Sequence, residues 1–336
     1  MKRDDILALP KVELHCHLDG SVPMHTLEEL AEQEGIPKES MKGAIAPADS
    51  GNLKDYLATF EVILPLLQTS ENLEKAAYAV VEAASREQVV YLEMRFGPLL
   101  HQRKGLSTQE VIQAAYTGMK RATEDFPIEA GLIVCALRHH SEERNTQLFK
   151  EVAELPEGMV AAIDVAGDEA NFPNAHVQLA VGEAREQSLA MTIHSGECGS
   201  AGNVSSAMSM GSRRIGHGVA IKDDPKVLEA VRQKGVLLEL CPTSNIQTRA
   251  IPSFKDYPVR YFMEQGIDIS INTDNRTVSN TTMTDELMLL VEYCGLTVSE
   301  IGQLTRTAMQ HAFADEQIKE HVFRQIEAGY DEKQIS

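Results

Sequence analysis

The chain has 336 residues, of which 43% are hydrophobic and 24% are charged, as in an ordinary globular protein. Its 50 acidic and 31 basic side chains give a net charge of −19, which opposes binding to a nucleic-acid backbone or to an anionic membrane. The five cysteines are scattered without a Cys-x-x-Cys pair, and no stretch has the features of a signal peptide or a membrane span. We therefore expect a cytoplasmic protein whose partner is neither nucleic acid nor membrane.

A short strand is predicted near the N-terminus, beginning at Val12 and ending in a turn at Asp19 and Gly20. His15 and His17 lie two residues apart in this strand, so their side chains point to the same face. Two imidazoles on one face form half of a metal site. Taken alone, the segment is equally compatible with two polar side chains on the solvated face of an edge strand.

The segment after this strand is predicted to be helical as far as Arg86. Its clearest apolar stripe has helical spacing and consists of Leu53, Tyr56, Leu57, Phe60, Ile63, Leu64 and Leu67. Such a stripe usually faces a protein core. We interpret residues 21–70 as a helical cap inserted after the first strand of a single domain that spans residues 1–336.

Strands and helices alternate along the rest of the chain. The later strands are predicted at residues 89–96, 130–137, 160–165, 190–194, 214–218, 235–241 and 267–274. Most are almost continuously apolar, as parallel strands buried on both faces are. Eight strand–helix units in a chain of this length predict a (β/α)8 TIM barrel of the α/β class. A doubly wound open sheet is the alternative, but no Gly-x-Gly-x-x-Gly follows the first strand.

Side chains suited to metal binding occur where the predicted strands end, namely His15, His17, His194, His217 and Asp274. Barrel enzymes build their active sites at the carboxyl ends of their strands. Imidazoles and a carboxylate suit zinc, which lowers the pKa of a bound water and so supplies hydroxide as a nucleophile. The sequence therefore predicts a metal-dependent hydrolytic site at this end of the barrel.

Two proton-transfer roles are also predicted. Glu197 lies three residues after His194, where a turn can place it beside the metal as a desolvated general acid. His217 and Asp274 can pair, so that the carboxylate orients an imidazole that handles the proton of the water. Spacing alone does not decide which histidine is the third ligand and which is the base.

Six motifs, together with their order along residues 9–313, resemble the adenosine deaminase family. They are residues 14–20 (LHCHLDG), 164–169 (DVAGDE), 194–197 (HSGE), 215–218 (IGHG), 241–245 (CPTSN) and 272–274 (NTD). The resemblance implies a zinc-dependent (β/α)8 barrel of the amidohydrolase type. It also implies conversion of adenosine and 2′-deoxyadenosine to inosine and 2′-deoxyinosine with release of ammonia.

The resemblance also implies a role for each matching residue. The implied zinc ligands are His15, His17, His194 and Asp274. His217, assisted by Asp274, would be the base, and Glu197 would protonate purine N1 while hydroxide attacks C6. The end of the fourth strand offers no lysine to bridge two metal ions, so one zinc ion per chain is expected.

The implied substrate contacts surround this centre. The backbone N–H of Gly167 would contact purine N3, and Asp19 would contact the ribose 5′-hydroxyl. His17, one of the implied zinc ligands, would also contact the substrate. An apolar lid would consist of Leu53, Tyr56, Leu57 and Phe60. Asn275 stands where many family members have an Asp that faces purine N7. Because N7 is an acceptor, an Asp must be protonated to donate to it, whereas the amide of Asn275 donates in any protonation state.

Three alternatives remain open at this point. The same machinery can act on another 6-aminopurine, such as adenine or aminodeoxyfutalosine, although Asp19 favours a substrate with a ribose hydroxyl. A metal-dependent ester or amide hydrolase is a second alternative. Glu197 argues against it, because an acid at this position suits protonation of a ring nitrogen. A catalytically silent metal- or ligand-binding protein is the third. The sequence predicts no oligomeric state.

Overall fold

The computed structural model describes residues 2–47 and 56–331. Within them, parallel strands form two four-stranded sheets in the order β1–β4 and β5–β8. The strands are Lys11–His17 (β1), Val89–Phe96 (β2), Glu129–Leu137 (β3), Ala162–Ala166 (β4), Thr192–Ser195 (β5), Arg214–His217 (β6), Leu237–Leu240 (β7) and Ile269–Ile271 (β8). Every strand prediction overlaps one of these strands.

Two isolated bridges join the sheets into a closed barrel. Cys16 pairs with Asp274, and Ile163 pairs with Met191, both in the parallel sense. At the first seam, the N–H of His17 donates to the carbonyl oxygen of Asp274 at 2.7 Å. The predicted (β/α)8 barrel is therefore confirmed, and the open-sheet alternative is wrong because the first and last strands meet.

Helical segments follow the strands. The α-helices of the described residues are Arg3–Leu7, Leu18–Ser21, Met24–Gln33, Phe60–Ile63, Ser70–Arg86, Thr108–Asp125, Glu142–Ala153, Gln178–Glu186, Ala201–Ser209, Pro225–Lys234, Pro242–Gln247, Val259–Glu264, Met283–Cys294, Val298–His311 and Glu316–Asp331. Short 3₁₀ helices lie at Lys38–Ala44, Leu64–Leu66, Pro98–Leu100, Asn174–Val177, Val219–Asp223 and Phe254–Asp256. Across the described ranges, none of the helices is both long and apolar enough for a membrane crossing.

The strand sequences place charge inside the barrel. In β2 the residues alternate, so that Glu93 and Arg95 share one face and Leu92 and Met94 share the other. All four are fully buried. The apolar face packs in the main hydrophobic core, whereas the charged face lies in the barrel interior, next to the strand ends that carry the predicted metal ligands.

The segment between β1 and β2 contacts the loop that follows β8. The N–H of Ala46 donates to the carbonyl of Val278 at 2.8 Å, and the hydroxyls of Tyr56 and Ser279 are 2.7 Å apart. β1 ends at His17, and the predicted turn at Asp19 and Gly20 is the single helical turn Leu18–Ser21. The division into a cap within a single domain stays a prediction.

Candidate active site

The predicted site residues converge at the carboxyl end of the barrel. Three of the histidines, His15, His194 and His217, lie in β1, β5 and β6, and Asp274 follows β8. His217 and Asp274 have left-handed backbone conformations, with φ of 62° and 63°. Such conformations cost a non-glycine residue about 1–3 kcal/mol and persist only where the surrounding structure holds them, as it does at many functional sites.

The imidazoles and the carboxylate are in close contact. His17 Nε2 lies 3.2 Å from His194 Nε2. The Nε2 atoms of His15 and His17 each lie 3.3 Å from Asp274 Oδ1. His15, His194, His217 and Asp274 each offer a ligand atom, and these atoms all lie within 4.8 Å of one another. The structure thus brings together all five side chains that the sequence singled out.

This arrangement fits a divalent metal ion. The Nδ1 atoms of His15 and His194 lie 2.9 Å from the carboxylates of Glu239 and Asp164, respectively, which leaves each Nε2 free to act as a ligand. His15 Nε2 is buried and has no hydrogen-bond partner among the described residues. Nitrogen lone pairs and a carboxylate that face one point repel one another unless a cation lies between them. A borderline ion such as zinc suits this donor set.

The residues behind the ligands were not predicted from the sequence. Glu239 and Asp164 orient His15 and His194, and Arg95 contacts both carboxylates at 2.9 Å. Each of these three charges interrupts an apolar strand, as in residues 237–240 (LLEL). A charge in such a strand is the signal that could have found them, because it must be paired when it is buried.

Glu197 is held beside this cluster by the turn after β5. The buried carboxylate of Glu169 accepts hydrogen bonds from the backbone N–H groups of Gly196 at 2.6 Å and of Glu197 at 3.0 Å. Glu197 Oε2 lies 3.6 Å from His217 Nε2. Burial raises the pKa of Glu197 above its usual value, which favours the protonated carboxyl. A general acid needs a carboxyl in this state.

A single short helix orients the side chains of His217 and Asp274. Asn245 Nδ2 lies 3.0 Å from His217 Nδ1, and the hydroxyl of Ser244 donates to Asp274 Oδ2 at 2.6 Å. Both residues belong to helix Pro242–Gln247, directly after β7. The hydrogen-bond partners of His217 Nδ1 and Asp274 Oδ2 are therefore Asn245 and Ser244, whereas the sequence suggested that His217 and Asp274 pair directly.

A cavity of ≈ 250 Å³ opens above the cluster. Its wall includes the predicted contact residues His17, Asp19, Tyr56, Leu57, Phe60, Gly167 and Asn275, together with Glu197, His217 and Asp274. It also includes residues that the sequence analysis did not assign to the site, namely Leu64, Leu100, Leu137, His139 and Asp168. Leu53, the remaining predicted lid residue, lies outside the described residues.

The polar end of the cavity is tightly packed. Burial raises the pKa of Asp19 to about 6. A Cβ atom at Gly20 would lie 1.9 Å from Asn275 Oδ1, so only glycine allows the loop after β8 to approach this closely. Asn275 is buried between this turn and the cavity.

Comparisons with known proteins agree with this geometry. The family model described as adenosine deaminase matches residues 10–329. Adenosine deaminase of Enterococcus faecalis is 39% identical over 335 residues, covering 98% of this chain and 99% of that protein.

Solved structures show the same likeness. The apo structure of the N6-methyl-AMP deaminase of Arabidopsis thaliana matches with a TM-score of 0.86 and 27% identity, covering 98% of this chain and 100% of that one. An amidohydrolase of Burkholderia ambifaria with bound Zn matches with a TM-score of 0.85 and 26% identity, covering 98% and 92% of the two chains. With the family model and the relative from Enterococcus faecalis, these matches show that the chain belongs to the adenosine deaminase family.

Proposed function

We propose that the protein hydrolyses adenosine and 2′-deoxyadenosine to inosine and 2′-deoxyinosine with release of ammonia. The observation that carries this proposal is the meeting of imidazoles, a carboxylate and Glu197 at one end of a largely apolar cavity. The adenosine deaminase named in Enterococcus faecalis, which is similar over nearly the whole chain, supports the same substrate.

The proposed cofactor is one zinc ion per chain, held by His15, His17, His194 and Asp274. The zinc-bound relative supports the choice of metal, and the absence of a lysine from residues 164–169 supports a single ion. When bound, zinc lowers the pKa of a water molecule so that the water becomes a nucleophile near neutral pH.

We assign the role of base to His217 because its surroundings differ from those of the ligands. His15 and His194 each have a carboxylate at Nδ1, the partner typical of metal-bound histidines. His217 has the amide of Asn245 instead, and its Nε2 faces Glu197. His217 takes the proton of the attacking water at Nε2, which requires the hydrogen of the neutral ring to be on Nδ1 and the side-chain amide of Asn245 to accept it through its oxygen. Asp274 helps to orient that water.

Glu197 supplies the proton that activates the purine. Protonation of N1 draws electrons from C6 and makes that carbon a better target for the water. Burial raises the pKa of Glu197 above its usual value, which favours the protonated carboxyl that a proton donor needs. The proton that His217 accepts then passes to the amino group, and the C6–N bond breaks as ammonia leaves. The proton of the C6 hydroxyl returns to Glu197 as the carbonyl of the product forms.

The cavity wall supplies recognition. We propose that Asp19 accepts a hydrogen bond from the ribose 5′-hydroxyl, that the N–H of Gly167 donates to N3, and that Asn275 donates to N7. The apolar side chains of Leu57 and Phe60 cover the purine and exclude water from the reaction. Tyr56 and Leu53 complete the proposed lid.

Steady-state rates test the substrate. Metal-replete protein is mixed with adenosine, 2′-deoxyadenosine, adenine or AMP, and ammonia is measured. We expect the two nucleosides to be turned over with the highest kcat/KM. Asp19→Ala should lower kcat/KM for adenosine by about 10- to 100-fold, the value of a hydrogen bond to a charged group, and should leave any turnover of adenine unchanged. Turnover of another aminopurine without turnover of either nucleoside would reject the proposal.

A further inference from the structure

A layer of buried charge lies directly beneath the proposed metal ligands. Its centre is Arg95 of β2, which is fully buried. Nη1 of Arg95 lies 2.9 Å from Asp164 Oδ2, and Nη2 lies 2.9 Å from Glu239 Oε2. One guanidinium therefore spans two carboxylates that belong to β4 and β7, on different sides of the barrel.

The carboxylates that contact Arg95 are the same groups that hold the histidines; Asp164 also accepts from His194 Nδ1 through its second oxygen, Oδ1, at 3.1 Å. Glu239 Oε2 lies 2.9 Å from His15 Nδ1, and Asp164 Oδ2 lies 2.9 Å from His194 Nδ1. A continuous chain of charge-assisted contacts thus runs from His15 through Glu239, Arg95 and Asp164 to His194. Movement of the guanidinium would disturb both histidines at once.

Arg95 also holds the backbone beside His15. The pairing of β1 with β2 shifts register between Glu13 and Cys16, and within this irregular stretch the carbonyl of Leu14 accepts from Arg95 Nη2. The guanidinium therefore fixes the chain directly before His15 as well as the carboxylate behind its ring.

We propose that Arg95 is a positioning residue that couples the two metal ligands His15 and His194 through one guanidinium bridge. This inference rests on the proposed ligand set. The planar, five-donor guanidinium can contact two carboxylates and a carbonyl simultaneously, whereas the ammonium group of lysine presents a single point charge on a flexible stem. Lysine at this position would keep the charge and lose the bridge.

Arg214 provides a matched control. It is also buried, and its Nε donates to Glu239 at 2.7 Å. That contact is made to Oε1, the oxygen that does not face His15. The other partners of Arg214 are Glu93 at 2.6 Å and the carbonyl oxygens of Leu14 and His311, each at 3.2 Å, so the contact with the backbone beside His15 is common to both arginines. Arg214 thus shares the residue type, the burial and a carboxylate partner with Arg95, but it contacts only one of the two carboxylates that hold histidines.

Zinc affinity tests the bridge directly. Zinc dissociation constants of the full-length apo-protein are measured by chelator competition for the parent, Arg95→Lys, Arg95→Gln and Arg214→Lys. We expect both Arg95 variants to bind zinc about 10- to 100-fold more weakly, the usual effect of losing a partner behind a metal ligand. The zinc dissociation constant of Arg214→Lys should be at least about threefold smaller than that of Arg95→Lys. Thermal unfolding of the apo-proteins reports any general loss of stability.

The coupling has its own readout. Asp164→Asn and Glu239→Gln are introduced singly and together, both in the parent and in Arg95→Lys. We expect their effects on zinc affinity to be non-additive in the parent and additive without the bridge. Zinc binding by Arg95→Lys within about twofold of the parent, or equal weakening in Arg214→Lys, would overturn the inference alone. A parent that binds no zinc would refute the proposed ligand set as well.

Discussion

The charged layer behind the histidines and the apolar wall of the cavity are stabilised in different ways. The ionic floor, Arg95, Asp164 and Glu239, consists of buried charges joined at 2.9 Å to one another and to the histidines. The apolar roof, Tyr56, Leu57, Phe60 and Leu64, lines the cavity with hydrophobic surface. Directional contacts fix atoms in position, whereas apolar contacts mainly exclude water. Changes in the floor should therefore act on the metal, and changes in the roof should act on substrate binding.

The largest effect is expected at Glu197, beside the floor. Glu197→Gln keeps the shape of the side chain but cannot release a proton to purine N1. We expect kcat to fall about 1,000-fold, within the range for loss of a proton donor, while zinc content is unchanged. Rates and metal content are measured on the same preparation. Normal turnover by this variant would remove Glu197 from its role as acid.

Replacement of Asn275, a polar residue in the same cavity wall as the roof, should make activity depend on pH. In Asn275→Asp, the carboxyl donates to N7 only when it is protonated, so kcat/KM should fall as pH rises through the pKa of the new group. The fall should be about 10- to 100-fold, since a donor is replaced by a negative charge. Asn275→Ala, which lacks the donor at every pH, is the control. A pH profile of Asn275→Asp that parallels the parent would contradict the proposed contact with N7.

The roof is tested at Phe60. Phe60→Ala removes apolar surface over the purine, and we expect KM for adenosine to rise about 10-fold, in line with the loss of a partly buried aromatic side chain. Zinc affinity should not change. Val62→Ala, in the same helix but outside the cavity wall, is the matched control. Weaker zinc binding in Phe60→Ala would show that roof and floor are not separate.

The smallest effect on activity is expected at Glu286. Like Glu239 it is a buried acid, but its pKa is shifted in the opposite direction. Burial opposes ionisation of both, but Arg95 and Arg214 hold the pKa of Glu239 well below its usual range. Glu286 accepts hydrogen bonds from the N–H of Thr243 at 3.0 Å and the hydroxyl of Thr281 at 2.7 Å. Burial outweighs these bonds and raises its pKa to about 7.

A raised pKa means that the native state binds the proton more tightly than the unfolded chain. The contribution of Glu286 to the free energy of unfolding should therefore fall as pH rises from about 4.5 to about 7, by up to about 3 kcal/mol, and then level off. Glu286→Gln should remove this slope, which urea unfolding at several pH values would reveal. An identical slope in parent and variant would contradict the assignment.

The sequence predicted the barrel and the cluster because both follow from local periodicity. A spacing of two residues places His15 and His17 on one face, and strand ends in a parallel barrel meet at one end. The partners behind the ligands depend on which strands lie opposite each other. Glu239 is 224 residues from His15, and no local pattern encodes that contact.

The roof was predicted less well for a different reason. The apolar stripe indicated one continuous helix through Phe60 and Leu64, but the structure has an α-helix at Phe60–Ile63 followed by a 3₁₀ helix at Leu64–Leu66. Pro65 explains the break, because proline lacks the N–H that an α-helix needs. Spacing identified the apolar side chains, and the proline determined how they are presented.

The central claim is that a single metal ion, held at the end of the barrel, supports deamination of adenosine. Its most direct test is a titration of metal-free protein with zinc, in which the initial rate of ammonia release from adenosine is followed. We expect negligible activity without metal and a linear rise in the initial rate that ends at one zinc ion per chain. Full activity without metal, or a rise that continues to two ions per chain, would contradict it.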